Sequence, residues 1–265
     1  MKQDGTLPVR DPLIDSYLKR LKMPTVLRDY PKLAEEAGKE NKSYEAFLLA
    51  LLESEATTRE SNAVKKRIAH AGFPRIKEIA EYDFTQLPGL KKQKVLQLTQ
   101  CDYLQRQENI VFMGNHGTGK SHLAIGLGME ACRRGHRVSY FTAASLAHQL
   151  IEARSEKKLL RLEKQIDKSA LLIVDELGYV PLTQEGAQLL FGILSQRYER
   201  TSVIITTNLE FSEWVQLFAE EKLTAALLDR LTHRCQVFLM NGESYRFKSS
   251  QKRMKEDYQA QATPL

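Results

Sequence analysis

The chain has 265 residues, of which 42% are hydrophobic and 27% are charged, and its net charge is +6. This composition is typical of a globular protein with one sizeable core and a small extra domain. No apolar run approaches the ~20 residues that cross a bilayer, and the polar segment 1–12 lacks the apolar core of a signal peptide. We therefore exclude a membrane protein and expect a cytoplasmic one. The positive charge alone is weak evidence of a nucleic-acid partner.

Segment 1–78 is predicted to form a small all-helical domain. Apolar residues at helical spacing indicate four helices, at 13–21, at 25–39, after a Ser43 cap, and at 54–71 before Gly72. The buried face of the third helix is expected to carry Phe47, Leu48, Leu51 and Leu52. A module of this size needs a partner, so we expect it to serve self-assembly, DNA binding or partner binding.

A basic cluster lies on the fourth predicted helix, at Lys65, Lys66 and Arg67. Such runs usually form a solvated helix face. Contact with nucleic acid or with a partner protein is the alternative, and the sequence leaves both interpretations open.

In segment 79–265, strands and helices alternate, and the alternation begins with a strand and a helix joined by a glycine-rich loop. The apolar run 110–113 predicts a strand, and Leu123, Leu127 and Ala131 recur at helical spacing after the loop. Between them, the loop fits the P-loop pattern Gly-x-x-x-x-Gly-Lys-Ser. Residues expected to contact the nucleotide are Gly114, Asn115, His116, Gly117, Thr118, Gly119, Lys120, Ser121 and His122. In such loops the lysine reaches the β and γ phosphates, and the serine hydroxyl binds Mg²⁺.

Further strands are predicted at 138–141, 170–174, 203–207 and 237–240, with helices at 91–102 and from about Ser145. This alternation is typical of a parallel sheet covered on both faces. The continuous apolar run 170–174 indicates a central strand.

Polar residues follow two of these strands. Asp175 and Glu176 come directly after the central strand, where open α/β sheets bind ligands. We expect Asp175 to bind Mg²⁺ and Glu176 to activate the attacking water. Asn208 follows the next strand and either forms a turn or bridges that water and the γ-phosphate.

Two arginines follow in the segment 227–234. Arg230 and Arg234 are one turn apart, and the neighbouring Asp229 offers a surface salt bridge as an alternative to phosphate contact.

Taken in order, the motifs resemble the IstB family, the ATPase helpers of a class of bacterial insertion sequences. The motifs are the P-loop, Leu-Leu-Ile-Val-Asp-Glu-Leu-Gly-Tyr, Ile-Ile-Thr-Thr-Asn, Leu-Leu-Asp-Arg-Leu and Gly-Glu-Ser-Tyr-Arg at 242–246. The family is related to DnaC helicase loaders and to the initiator branch of the AAA+ superfamily. The resemblance implies an α/β P-loop NTPase of the AAA+ initiator and helicase-loader type, with a parallel sheet and the helical domain before it. About 25 residues follow Met240, too few for the usual C-terminal lid domain.

The resemblance also implies roles for individual residues. Asn208 matches the sensor-1 position, and its strand would lie between the P-loop strand and the Asp175 strand. Arg230 matches the arginine finger, which acts on the nucleotide of a neighbouring subunit, with Arg234 as the runner-up. The basic helix after Ser145 is the candidate lining of a DNA channel, through Lys157, Lys158 and Arg161. A salt-bridged surface helix remains its alternative.

The implied function is a Mg²⁺-dependent ATPase that assembles as a homo-oligomer on double-stranded DNA and assists a transposase in target selection or strand transfer. A DnaC-like loader of a replicative helicase is the first rival. The stretches 176–179 and 242–246 favour the transposition helper. A P-loop kinase for a small molecule is the second rival, and the Asp175–Glu176 pair argues against it.

Overall fold

The computed structural model describes residues 10–218 and 221–244. Tyr245 and Arg246, which belong to the last family-like motif, lie outside these ranges. The chain divides into two compact units, with the division in the sequence between Lys66 and Arg67.

The first unit is helical and has a small core of its own. It consists of α1 (Pro12–Arg20), α2 (Pro24–Lys39) and most of α3 (Tyr44–Ala71). The α1 helix begins where the Asp11 carboxylate accepts the backbone N–H of Leu13 at 2.7 Å. Val26, Tyr30 and Leu51 form the buried core between α2 and α3.

The third and fourth predicted helices are one continuous helix, so their prediction as separate elements is wrong. Ser54 lies inside this helix, and the following residue, Glu55, caps a different one. The Glu55 carboxylate accepts the backbone N–H groups of Thr25 and Val26 at 2.8 and 3.1 Å. These N–H groups have no partner within α2, so a buried acidic side chain at this place stabilises the start of that helix.

The start of α3 agrees with the prediction, whereas its buried face agrees only in part. The Ser43 hydroxyl accepts the backbone N–H of Ala46 at 3.2 Å. Leu51 is buried, but Leu48 and Leu52 are 55% and 47% exposed. The core that Leu51 shares with α2 covers only a narrow stripe of α3, which leaves Leu48 and Leu52 outside it.

The second unit is an α/β domain. Its strands are β1 (Asn109–Met113), β2 (Val138–Thr142), β3 (Leu171–Leu177), β4 (Ser202–Thr207) and β5 (Cys235–Leu239). Its helices are α4 (Lys92–Leu98), α5 (Asp102–Gln105), α6 (Lys120–Arg133), α7 (Ala143–Ser155), α8 (Leu159–Asp167), α9 (Gln184–Gln196), α10 (Val215–Phe218) and α11 (Glu221–His233). Single 3₁₀ turns occur at Ile79–Glu81, Phe84–Gln86 and Phe211–Trp214.

The five strands form one parallel sheet in the order β2-β3-β4-β1-β5. The β4 strand lies between β1 and β3, which confirms the order implied by the family resemblance. Every residue of β1 and β4 is buried, because separate apolar cores cover the two faces of the sheet. The carboxyl ends of β1, β3 and β4 therefore meet at one edge, where parallel sheets bind ligands.

Two helices predicted from apolar spacing are shorter than expected. The helix predicted at 91–102 ends at Leu98, and Cys101 has a φ of 63° before α5 begins. The helix after Ser145 ends at Ser155, because Lys157 has a φ of 57° and α8 then begins as a separate helix. A left-handed residue breaks the helical hydrogen-bond ladder, and apolar spacing does not reveal it.

Within the described part of the chain, no helix is long and apolar enough to cross a membrane. The described residues that follow β5, 240–244, contain no helix.

Candidate nucleotide-binding site

The glycine-rich loop between β1 and α6 has a backbone that other side chains would block. Gly114, Gly117 and Gly119 have φ angles of 142°, 75° and 88°, which residues with a Cβ rarely adopt. A Cβ at Gly119 would lie 2.5 Å from the ring of Tyr82, and one at Gly117 would overlap Ser244. The glycines therefore let the loop curl against both neighbours immediately before α6.

Lys120 begins α6, and its ammonium group lies over the loop. It donates to the carbonyl oxygens of Gly114 and Asn115, both at 2.7 Å. The hydroxyl of Thr118 donates to the same Asn115 carbonyl at 2.9 Å. A cation is thus held beside the first turn of α6, whose unpaired N–H groups and dipole also attract anions.

Asp175 lies on β3, is 2% exposed, and accepts hydrogen bonds at both carboxylate oxygens. Ser121 on α6 donates to Oδ1 at 2.8 Å, and Thr206 on β4 donates to the same atom. Tyr140 on β2 donates to Oδ2 at 2.5 Å. Burial raises the pKa of Tyr140, and the hydrogen bond to Asp175 raises it further, so the phenol keeps its proton. Three elements thus hold one buried carboxylate.

The atoms that hydrogen-bond to the Asp175 carboxylate are the hydroxyl oxygens of Ser121, Thr206 and Tyr140. A carboxylate and a serine hydroxyl in contact are the type of ligand that Mg²⁺ prefers, together with phosphate oxygens and water. Ser121 and Asp175 therefore fit the metal that the family resemblance implies.

Glu176 is the exposed residue of β3 and has a φ of 59°. A regular strand would point it to the sheet face opposite Asp175. Here the pairing of β3 with β4 shifts between Val174 and Leu177, so the strand bulges. The backbone N–H of Glu176 donates to the Thr206 hydroxyl at 2.9 Å.

A cleft of about 960 Å³ unites most of the predicted site. It is lined by His116, Gly117, Thr118, Gly119, Lys120, Ser121, His122, Asp175, Glu176 and Asn208. Asn115 and Gly114 instead form the base of the loop, where the Asn115 side chain donates to the carbonyl of Gly242 at 3.3 Å. The residues brought together come from the ends of β1, β3 and β4, as the predicted sheet requires.

The sequence analysis missed an aromatic wall of this cleft. The Tyr82 hydroxyl donates to the carbonyl of Thr118 at 2.9 Å, and burial raises the pKa of Tyr82 to about 12. His122 stacks edge-on against Tyr82, with ring centroids 5.5 Å apart, and its Nε2 lies 2.7 Å from the carbonyl oxygen of Glu78. Segment 78–82 carries no motif of its own, so no local signal indicates its contact with the P-loop.

The two candidate arginine fingers lie elsewhere. Arg230 is near the end of α11 and Arg234 precedes β5; both are exposed, and neither lines the cleft. Among the described residues, neither guanidinium has an ion-pair partner, so the alternative salt bridge between Arg230 and Asp229 is not formed.

The basic residues of the α7–α8 region are exposed at the turn between the two helices. Lys157 occupies the left-handed turn, and Arg161 is exposed on α8. Lys158 pairs with Glu156 at 2.6 Å, and Arg154 pairs with Glu185 at 3.6 Å. The surface is thus partly salt-bridged, as its alternative interpretation expects.

The three residues of the other basic cluster, Lys65, Lys66 and Arg67, differ in how exposed they are. Lys65 and Lys66 are exposed, but Arg67 is half-buried. The Arg67 guanidinium donates to the carbonyl of Cys132 at 2.7 Å, at the C-terminal end of α6, where a cation is favourable. Arg67 therefore has a structural contact with the end of α6.

The family model described as "IstB-like ATP binding protein" matches residues 16–253. The chain belongs to this family. One relative of this IstB-like chain is a Geobacillus stearothermophilus protein whose name describes it as a putative ATP-binding protein of insertion sequence IS5376. It is 37% identical over 93% of this chain and 97% of its own. A Pseudomonas aeruginosa protein, named likewise for insertion sequence IS21, is 36% identical over 90% of each chain.

Solved structures resemble the IstB-like fold at lower identity. AMPPCP-bound DnaA from Aquifex aeolicus superposes with a TM-score of 0.55 at 19% identity. The superposition covers 69% of this chain and 56% of the DnaA chain. DnaI superposes with a TM-score of 0.52 at 14% identity, over 68% of this chain and 98% of DnaI. At these identities the likeness concerns the fold alone.

Proposed function

We propose that this IstB-like protein is an ATP-hydrolysing, DNA-binding helper of a transposase. The observation that carries the proposal is the contact between Ser121, at the start of α6, and the buried Asp175 on β3. It brings the P-loop serine and the carboxylate expected to bind Mg²⁺ together inside one cleft. The relatives named for insertion sequences support the link to transposition.

Nucleotide binding follows from the loop geometry. The curled backbone and the first turn of α6 present N–H groups to the phosphates, and Lys120 supplies a positive charge to the β and γ phosphates. Ser121 and Asp175 would hold Mg²⁺, which neutralises charge on the phosphate oxygens when bound.

Hydrolysis would use the two polar residues at the strand ends. Glu176 is exposed to the cleft, so its carboxylate accepts a proton from the attacking water. Asn208 lines the same cleft at the end of β4 and orients that water through its amide.

The remaining positive charge would come from a second subunit. Arg230 lies outside the cleft of its own chain, and an arginine finger acting in trans balances charge that appears in the transition state. We therefore propose a homo-oligomer, promoted by ATP and DNA, in which Arg230 completes a neighbouring site and Arg234 is the substitute candidate.

Duplex DNA would bind mainly through its phosphates. Lys157 and Arg161 are exposed and form no ion pair with the acidic residues that the structure describes. The exposed Lys65 and Lys66 form a second candidate surface. These side chains contact phosphate without reading bases, so we expect weak sequence selectivity.

The test compares the parent protein with Glu176→Gln, which keeps the shape and removes the base. The variant should bind ATP and Mg²⁺ but hydrolyse about 10²- to 10⁴-fold more slowly, and it should remain assembled on DNA. Hydrolysis at the parent rate would contradict the assignment of Glu176.

The partner is tested separately. The proposed transposase partner should bind the ATP-loaded Glu176→Gln assembly on DNA and insert its element there. Binding to a replicative helicase, with no effect on a transposase, would instead support the helicase-loader alternative.

A further inference from the structure

Thr206, near the end of β4, contacts both acidic residues of β3 with one hydroxyl group. Its Oγ1 donates to Oδ1 of Asp175 and accepts the backbone N–H of Glu176 at 2.9 Å. A threonine hydroxyl has one proton and two lone pairs, so it can make both bonds at once. Thr206 is 1% exposed, so bulk water does not compete for either bond.

The strand opposite Thr206 carries one extra residue. Val174 pairs with Ile205 and Leu177 pairs with Thr207, so Asp175 and Glu176 together oppose the single residue Thr206. This is the geometry of a β-bulge, which changes the direction of side chains beside active sites. Because of it, two adjacent carboxylates line the same cleft although a regular strand would separate them.

The bulge places Glu176 in a left-handed conformation, with a φ of 59°. A residue with a side chain holds this conformation only when its surroundings oppose relaxation. The bond from its N–H to Thr206 is a contact of this kind, since it ties the strained residue to a buried side chain on the neighbouring strand.

We propose that Thr206 is a positioning residue, which holds Asp175 and Glu176 in their relative arrangement through its single hydroxyl. The inference rests on the proposed function, because it takes Asp175 as the metal-binding carboxylate and Glu176 as the base. Tyr140 holds the other oxygen of Asp175 independently of Thr206. Loss of the Thr206 hydroxyl therefore affects Glu176 more than Asp175.

The test uses three variants. Thr206→Val keeps the shape and removes the hydroxyl, and Thr206→Ser keeps the hydroxyl. Ser202→Ala is the matched control, because Ser202 is a buried hydroxyl at the opposite end of β4 that donates to the carbonyl of Tyr103 at 3.1 Å. Thr206→Val should lower kcat about 10- to 100-fold with little change in the Kd for ATP. Thr206→Ser should recover most of kcat, and Ser202→Ala should retain the parent kcat.

Hydrogen exchange of the nucleotide-free protein gives a readout that does not depend on activity. In Thr206→Val, the peptide that covers residues 174–178 should exchange faster, because the N–H of Glu176 loses its acceptor. Ser202→Ala should leave that peptide unchanged, since the Ser202 hydroxyl donates to Tyr103 and to no residue of the peptide.

A double-mutant cycle separates this inference from the proposed function. When Glu176→Gln is already present, Thr206→Val should cost a much smaller factor in single-turnover hydrolysis than it costs in the parent. If Glu176→Gln hydrolyses ATP normally, the proposed function fails whatever Thr206 does. If Glu176→Gln is impaired but Thr206→Val costs the same factor in both backgrounds, or leaves exchange at 174–178 unchanged, Thr206 is not a positioning residue.

Discussion

The P-loop end of the cleft and the segment at the end of α11, which carries Arg230 and Arg234, differ in whether their charged side chains have partners within the chain. In the cleft, Lys120, Ser121 and Asp175 all have partners within the chain. At α11, the described residues provide no ionic partner for the exposed Arg230 or Arg234. An exposed, unpaired charge contributes little to the stability of its own chain. We therefore expect that one chain binds the nucleotide, whereas an assembly hydrolyses it.

The largest expected effect concerns the binding half of this comparison. Lys120→Ala removes the cation held over the P-loop, so nucleotide binding should fall below detection even at high protein concentration. Titration of a fluorescent ATP analogue measures this, with circular dichroism to show that the variant is folded. Binding near the parent affinity would mean that the loop backbone alone is sufficient.

Arg230→Ala tests the other half and should leave nucleotide affinity unchanged. Turnover should fall by ~10³ to 10⁵, the usual contribution of an arginine finger. In the parent protein, activity per subunit should rise with protein concentration and rise further on DNA, because a neighbour must present the arginine. The same measurement on Arg234→Ala identifies which arginine acts.

Mixing Lys120→Ala with Arg230→Ala tests whether the arginine acts on the nucleotide of a neighbouring subunit. Lys120→Ala retains Arg230, and Arg230→Ala retains the P-loop, so mixed interfaces should regain activity in proportion to their frequency. Rates that do not depend on concentration, together with no recovery in mixtures that co-assemble, would show that one chain contains the whole site.

A smaller effect is expected from Tyr140→Phe. The variant keeps the edge-on contact with Phe73, whose ring centroid lies 6.0 Å away, but leaves Oδ2 of Asp175 without its donor. The Mg²⁺ concentration needed for nucleotide binding should rise by up to about 10- to 100-fold. Because the pKa of Tyr140 is raised above its ordinary value, the parent should show no change in this requirement across neutral pH. An unchanged Mg²⁺ requirement in the variant would mean that Ser121 and Thr206 suffice to orient Asp175.

The smallest effect concerns DNA. Replacing Lys157, Lys158 and Arg161 together by alanine should reduce the slope of log K against log salt by ~0.9 for each lost phosphate contact. Lys158 already pairs with Glu156, so a reduction corresponding to two contacts is expected. An unchanged slope would move the DNA surface elsewhere, most directly to Lys65 and Lys66, and Arg67→Ala would then test whether its bond to Cys132 excludes it from that surface.

Local patterns predicted the elements of the second unit more accurately than those of the first. The β3 strand is a continuous apolar run because both of its faces are buried, and the P-loop glycines are needed wherever that backbone occurs. In the first unit, the fourth predicted helix begins at Ser54, but this residue lies inside α3, and the adjacent Glu55 caps the N-terminus of α2, about 30 residues earlier in the chain. A capping side chain does not reveal in sequence which helix it caps.

The amino-acid sequence by itself determined the P-loop, the apolar strands and the acidic pair at the end of β3, because each depends on residues adjacent in the chain. Only the tertiary structure decided which hydroxyl groups hold that pair. Tyr140, Thr206 and Ser121 come from three different elements and reach Asp175 only when β2, β4 and α6 are packed around β3. The bulge at Glu176 likewise depends on strand register, which is set by the fit of whole strands and not by any local motif.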